Sequence, residues 1–222
     1  MSTKYIASNW RLPNKAGVDS YLNDNYGLTF DGSEFINLGN VNDFSFGTGD
    51  FTVSSWCKID SGVSTFRWIF GFGGTNGLEI GLNNTTDNTL RLWIAGDNIN
   101  STESISSEIW HNIIVKRESG VVTAFVDNTA LTLGSGGNGS VVNNTNSFIG
   151  VWSDGFSDDF QGEISEVAVF NYALSSTQIS TLYGSSSLGA GNPLALKPAP
   201  VAFYPLGDNS SGNPLTQPNE AV

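Results

Sequence analysis

The sequence predicts an all-β protein: a two-sheet antiparallel jelly-roll sandwich with one short C-terminal helix. Three observations lead there. Apolar and polar residues alternate with a period of two from about residue 28 to 170, the signature of half-buried strands. Clusters rich in Gly, Asn and Ser interrupt that alternation, as at 73–77, 83–88 and 134–139, where turns are expected. A single helical start signal appears, late in the chain, at Ser175.

The strands follow in order. Leu28 to Ile36 opens the domain. Phe51, Val53, Ser55, Cys57 and Ile59 then share one face, and Phe66, Trp68, Phe70 and Phe72 alternate against Arg67, Ile69 and Gly71. Leu78, Ile80 and Leu82 continue the pattern against Glu79 and Gly81, followed by Leu90, Leu92 and Ile94. Further strands are expected near 110–117, 121–127 and 147–152. In the helix, Ser175 as N-cap and Gln178 at the third position form a capping box over 176–183. Leu174 and Ile179 are placed for a hydrophobic staple, and Gly184 is the stop.

Residues 1–27 read as an N-terminal arm, 28–184 as the sandwich and 185–200, rich in Gly, Ser, Ala and Pro, as a linker. Tyr204 and Leu206 repeat the spacing of Trp10 and Leu12. The tail 201–222 is therefore read either as packing on the sandwich or as the start of a truncated second copy.

Composition narrows the function. Nine Lys and Arg stand against 21 Asp and Glu, and no cation occurs from Glu118 to Leu196. Phosphate neutralisation needs a basic face, so nucleic acid is excluded as a partner. No apolar run is long enough to insert in a membrane, and Met1 to Ala7 has no apolar region of a secretory signal peptide. One Cys, Cys57, and one His, His111, rule out an internal disulfide and a Cys/His zinc site.

Four segments together resemble the laminin-G-like domains of the concanavalin A-like lectin/glucanase superfamily. They are Leu28–Ile36, Phe51–Trp56, the hairpin from Trp110-His111 to Asp127, and Phe160–Val167 with Asn171–Ser175. The resemblance spans 26–184 and implies ligand sites in rim loops or on a sheet face. The Asn-, Gly- and Ser-rich style is similar to that of tailed-phage structural proteins, which implies a virion or extracellular surface as the location.

Site candidates concentrate after Ile149. Ser153 to Asp159 carries three carboxylates, an oxygen-rich loop of the kind calcium prefers. Asp154 and Asp158 are the expected ligands. Asn76 joins them because related domains place calcium between this loop and the turn near it. Trp152 enters the same loop and, with Asp154, is the expected ligand-binding pair, the indole stacking on a sugar face and the carboxylate accepting hydroxyls. Catalysis is not expected. Glu163 and Glu166, three apart on a strand, face away from each other and cannot flank one glycosidic bond. His111 is expected as a half-exposed cross-strand residue. The expected function is a non-catalytic module binding a glycan or a protein surface in adhesion. A purely structural decoration or fibre subunit, forming a homo-oligomer or larger assembly, is the alternative, and a glycoside hydrolase the remote one.

Overall fold

The computed structural model describes residues 4–6, 21–22, 27–83, 88–184 and 190–206. Its strands are β1 (Lys4–Ile6), β2 (Tyr21–Leu22), β3 (Leu28–Asp31), β4 (Phe35–Gly39), β5 (Phe51–Ile59) and β6 (Arg67–Phe72). Then come β7 (Leu78–Leu82), β8 (Thr89–Ile94), β9 (Asp97–Ser104), β10 (Trp110–Glu118), β11 (Val121–Val126) and β12 (Thr129–Ala130). The last are β13 (Ser147–Ile149), β14 (Gln161–Phe170), β15 (Ala190–Gly191) and β16 (Ala202–Tyr204), with helix α1 (Ser176–Tyr183) after β14.

Two sheets form the sandwich. The first runs β1-β4-β13-β6-β7-β8-β9 and the second β12-β11-β10-β5-β14-β16, with β3 also on β14. Pairing is antiparallel except between β1 and β4. Between the sheets lies the main core, from Phe30, Ile36 and Phe44 through Phe70, Leu92 and Ile113 to Val169. Burying each such side chain contributes roughly 1.5–3 kcal/mol.

Helix α1 has the expected bounds, and its capping box is complete: the Ser175 side chain accepts from the Gln178 amide while the Gln178 side chain accepts from the Ser175 amide. Leu174, Ile179 and Leu182 bury against Ile114, Ala168 and Phe170 on the outer face of the second sheet. That face is therefore largely covered.

Three expectations are revised. Trp68 does not share the core face of Phe70 and Phe72: a bulge between Trp68 and Phe70 resets the alternation, putting Ile69 in the core and Trp68 outside it. The stretch read as a linker lies against the sandwich over 190–200, with β15 pairing β2 and Leu194 and Leu196 joining the cluster under α1. Residues 202–204 pair with β14, so the segment considered as a second copy begins by completing this sheet. Residues 207–222 lie outside the described ones.

One charged group anchors an end of the sandwich. Arg117, fully buried on β10 opposite Phe51, donates five hydrogen bonds of 2.6–3.1 Å to the carbonyls of Gly47, Gly49, Gly137 and Gly139. Its guanidinium also lies 4.9 Å over the Phe51 ring.

Candidate functional site on the outer face of the first sheet

Register assembles the site. On the outer face, Gly71 of β6, Glu79 of β7, Trp93 of β8 and Asn98 of β9 form one row. Trp68, Gly81, Arg91 and Asn100 form the next. The two glycines open space in this grid. A Cβ at Gly71 would collide with the Glu79 carboxyl, and one at Gly81 with the Trp68 ring, so both side chains lie flat on the sheet because these positions are bare.

The loop 150–160 crosses this floor. Its ends are fixed by Gly150 N–H donating to Ile69 O at 3.1 Å and Phe160 N–H to Gly150 O at 2.7 Å. Trp152 packs edge-on against buried Trp68, with centroids 4.5 Å apart, and stands 6.4 Å from Trp93. Phe148 and Val151 pack with Phe35 under the adjoining part of the loop. Trp93 and Trp152 remain half-buried, so their rings keep surface toward solvent.

Charge is arranged around these rings. Arg91 lies 4.5 Å over Phe66 and 5.8 Å from the Trp93 centroid, and its Nη1 donates to Asn83 Oδ1 at 3.3 Å. Burial lowers the Arg91 pKa, and nearby Asp158 opposes the shift. The Asp158 pKa is raised, first by burial and then by Asp154, against the Trp68 indole and Arg91, which favour its ionised form. Asp159 is raised too, by burial and then by Asp154 and Asp158. Glu79 is fully buried, and neither carboxyl oxygen has a hydrogen-bond partner of good geometry, although Ser153 faces it. Burial pushes its pKa well above the ordinary carboxylate value. Ser153 is itself held in place, accepting from the Gly74 amide at 2.9 Å.

The expected site residues divide. Trp152 lies on the aromatic floor, and Asp158, expected as a metal ligand, lies near Trp68 and Arg91 beside it. Asp154 is exposed, but its carboxylate is engaged in its own loop, accepting from the Phe156 and Ser157 amides at 2.8 and 3.1 Å and from the Ser157 hydroxyl at 2.7 Å. Asn76 is an exposed turn residue whose carbonyl accepts from Val142. Among the described residues no three carboxylate, imidazole or thiol groups are placed to hold a metal ion. The residues that sequence reasoning missed here are Arg91 and Glu79. The signal that could have found them was glycine at the outward positions 71 and 81, where alternation calls for polar side chains.

His111 is buried rather than half-exposed, and it has company. Its Nδ1 donates to Asp127 Oδ2 at 2.6 Å, and its Nε2 faces Ser106 Oγ at 2.9 Å and Ser106 O at 3.1 Å. Asp127 Oδ1 also accepts the Asn112 amide at 2.9 Å. The order Ser–His–Asp is that of a hydrolase triad. Its members tie the β9–β10 connection to the turn between β11 and β12. Glu163 pairs with Lys58 at 2.8 Å on the second sheet, and Glu166 lies in a bulge of β14 at positive φ.

The helix-capped two-sheet sandwich is a lectin-like fold. Residues 30–180 match the laminin-G profile of the Concanavalin A-like lectin/glucanases superfamily, and the chain belongs to that superfamily. No curated protein matches the sequence. Among solved structures, a Bacteroides ovatus protein described as carbohydrate-binding aligns with TM-score 0.59 and 18% identity, over 87% of this chain and 52% of its own. The chain thus spans about half of that protein. Domain 4 of an extracellular arabinanase of Geobacillus stearothermophilus, solved with arabinotriose, aligns with TM-score 0.53 and 18% identity, over 78% of this chain and 84% of its own. The heptameric SAP-like pentraxin of Limulus polyphemus aligns with TM-score 0.50 and 18% identity, over 73% and 85%. At these identities the likeness is one of fold. No helix among the described residues is long and apolar enough to cross a membrane.

Proposed function

We propose that this chain is a non-catalytic carbohydrate-binding module of a virion or cell-surface assembly, holding a saccharide on the outer face of the first sheet. The observation that carries the reading is the pair of half-buried indoles, Trp93 and Trp152, beside Arg91 and Asp158 on a floor fixed by Trp68. Aromatic faces stack on the C–H face of a pyranose, while charged groups of both signs give and accept hydroxyl hydrogen bonds. The sugar-binding descriptions of two structural neighbours support the class of ligand. Asp154 is a loop former in this reading, and Asp158 takes the acceptor role.

Glycan-array binding followed by calorimetry tests it. Trp152→Ala and Trp93→Ala should each weaken the best ligand by about tenfold or more, corresponding to about 1.4 kcal/mol. Unchanged affinity in both variants would remove the site.

Calcium at Asn76, Asp154 and Asp158 would have to draw Asp154 out of its turn, and the donors present fit it poorly. Melting with about 1000 Kd of a bound ion would add about 4 kcal/mol of stability relative to a chelator. The expected result here is no shift, and a rise of several degrees in calcium would show that the ion is bound.

A further inference from the structure

The geometry points to a glycan that carries a carboxylate, a uronic or sialic acid, as the ligand of this face, with Arg91 as the residue that selects it. The inference rests on the saccharide-binding reading above and deepens it.

The described residues include three arginines, and two are fully buried on acceptors within the fold. Arg117 is buried on backbone carbonyls, and Arg67 is buried against Asp60 O and the Asn88 side chain. Lys58 and Lys116 are in ion pairs with Glu163 and Glu118. Arg91 differs: among the described residues it belongs to no ion pair within 4.0 Å, and Asp158 acts on it only from a distance. Its Nε is turned into the protein, without a partner, and Nη1 makes one long bond to Asn83. Nη2 donates to no described residue. The planar end of the guanidinium is therefore the part with donors to offer, and the Phe66 ring on which it lies fixes its plane.

A fixed guanidinium end matches the two oxygens of a carboxylate, which take parallel N–H bonds; a hydroxyl meets only one of them. Trp93, on the same strand two residues on, would lie under the ring bearing that carboxylate, and Trp152 would border it. The protein's net charge of −12 opposes anions at long range. At 0.15 M salt that field is screened beyond about 8 Å, whereas a contact pair persists.

The test compares matched ligands on the whole chain: oligogalacturonate against its carboxyl-reduced form, and sialyllactose against lactose, by calorimetry at 0.15 M salt. The expected result is at least about tenfold tighter binding of the acid in one of the two pairs, which also says whether a uronic or a sialic acid is recognised. Arg91→Gln should abolish that preference, Arg91→Lys should restore part of it, and Trp152→Ala should weaken both members of the pair. Unchanged melting of the Arg91 variants shows that the fold is intact, and the wild-type comparison stands even if one fails to fold. Equal affinity within both pairs, or a preference that survives Arg91→Gln, overturns the inference and leaves saccharide binding standing. Failure to bind any saccharide overturns both.

Discussion

Arg117→Met should destabilise the protein by about 3–5 kcal/mol in urea denaturation, the cost expected when a buried, fully hydrogen-bonded charge is removed from its partners. The reason is the number of groups it satisfies. Four glycine carbonyls from two separate loops, at 47–49 and 137–139, converge on one guanidinium. Removing it takes a donor from all four: Gly47 O keeps the Val141 N–H, while the carbonyls of Gly49, Gly137 and Gly139 lose theirs, an unmet buried group such as that of Gly137 costing about 1–3 kcal/mol. Arg117→Lys should recover less than half of the loss, because an ammonium has three donors and no planar fork. A loss below about 1 kcal/mol for the methionine variant would show that water replaces the guanidinium without difficulty, and the anchoring role would then be wrong.

Glu79→Gln should change the pH dependence of stability. The folded-state pKa of Glu79 is raised well above 4.5 by burial, with Ser153 opposing and Asp154 adding to the shift. Between the unfolded and folded pKa values the native state holds a proton that the unfolded chain releases, so stability falls as pH rises through that window. Below the unfolded value, near 4.5, both states are protonated and no penalty exists. Each unit of displacement is worth about 1.4 kcal/mol. The glutamine variant carries no such proton, so its melting temperature should gain on the wild type as pH rises through that window and then level off. Asp158 and Asp159 are shifted in the same direction but are common to both proteins, so they largely cancel in the comparison. Parallel curves for the two proteins would refute a buried, proton-holding Glu79. The residue lies beneath Ser153 in the loop that carries Trp152, so the same titration bears on the face proposed to hold a saccharide.

Much of the architecture was legible because it follows local rules. The capping box at Ser175 and Gln178 sets the helix start by short-range hydrogen bonds, and the alternation in β5, β7 and β8 assigns their core faces directly. The bulge at Trp68 was not legible, since an extra residue in β6 is defined only by the register of its partner β7. For the same reason the site was only half visible. Trp152 and Asp158 announce themselves in an aromatic and acidic loop. Arg91 and Glu79 become neighbours of that loop only once β7 and β8 are paired and the chain from 150 to 160 is laid over them. The spacing of Asp154 from Phe156 and Ser157 lets its carboxylate close its own turn, a contact that composition alone does not announce.

The outer edge of β14 is shared by two short strands. β3 lies against Gln161–Ile164 and β16 against Val167–Val169, and both run antiparallel to β14. They therefore run the same way along one line, with Tyr204 leading toward Leu28. A polypeptide rejoined from Leu206 to Gly27 would trace a single border strand at the cost of the short β1–β4 and β2–β15 pairs, and it could be reopened at the exposed turn of Ser119 without breaking a further ladder. The sandwich is in this respect nearly circular, a shape that can be inserted into a host loop or permuted with little rearrangement of its backbone.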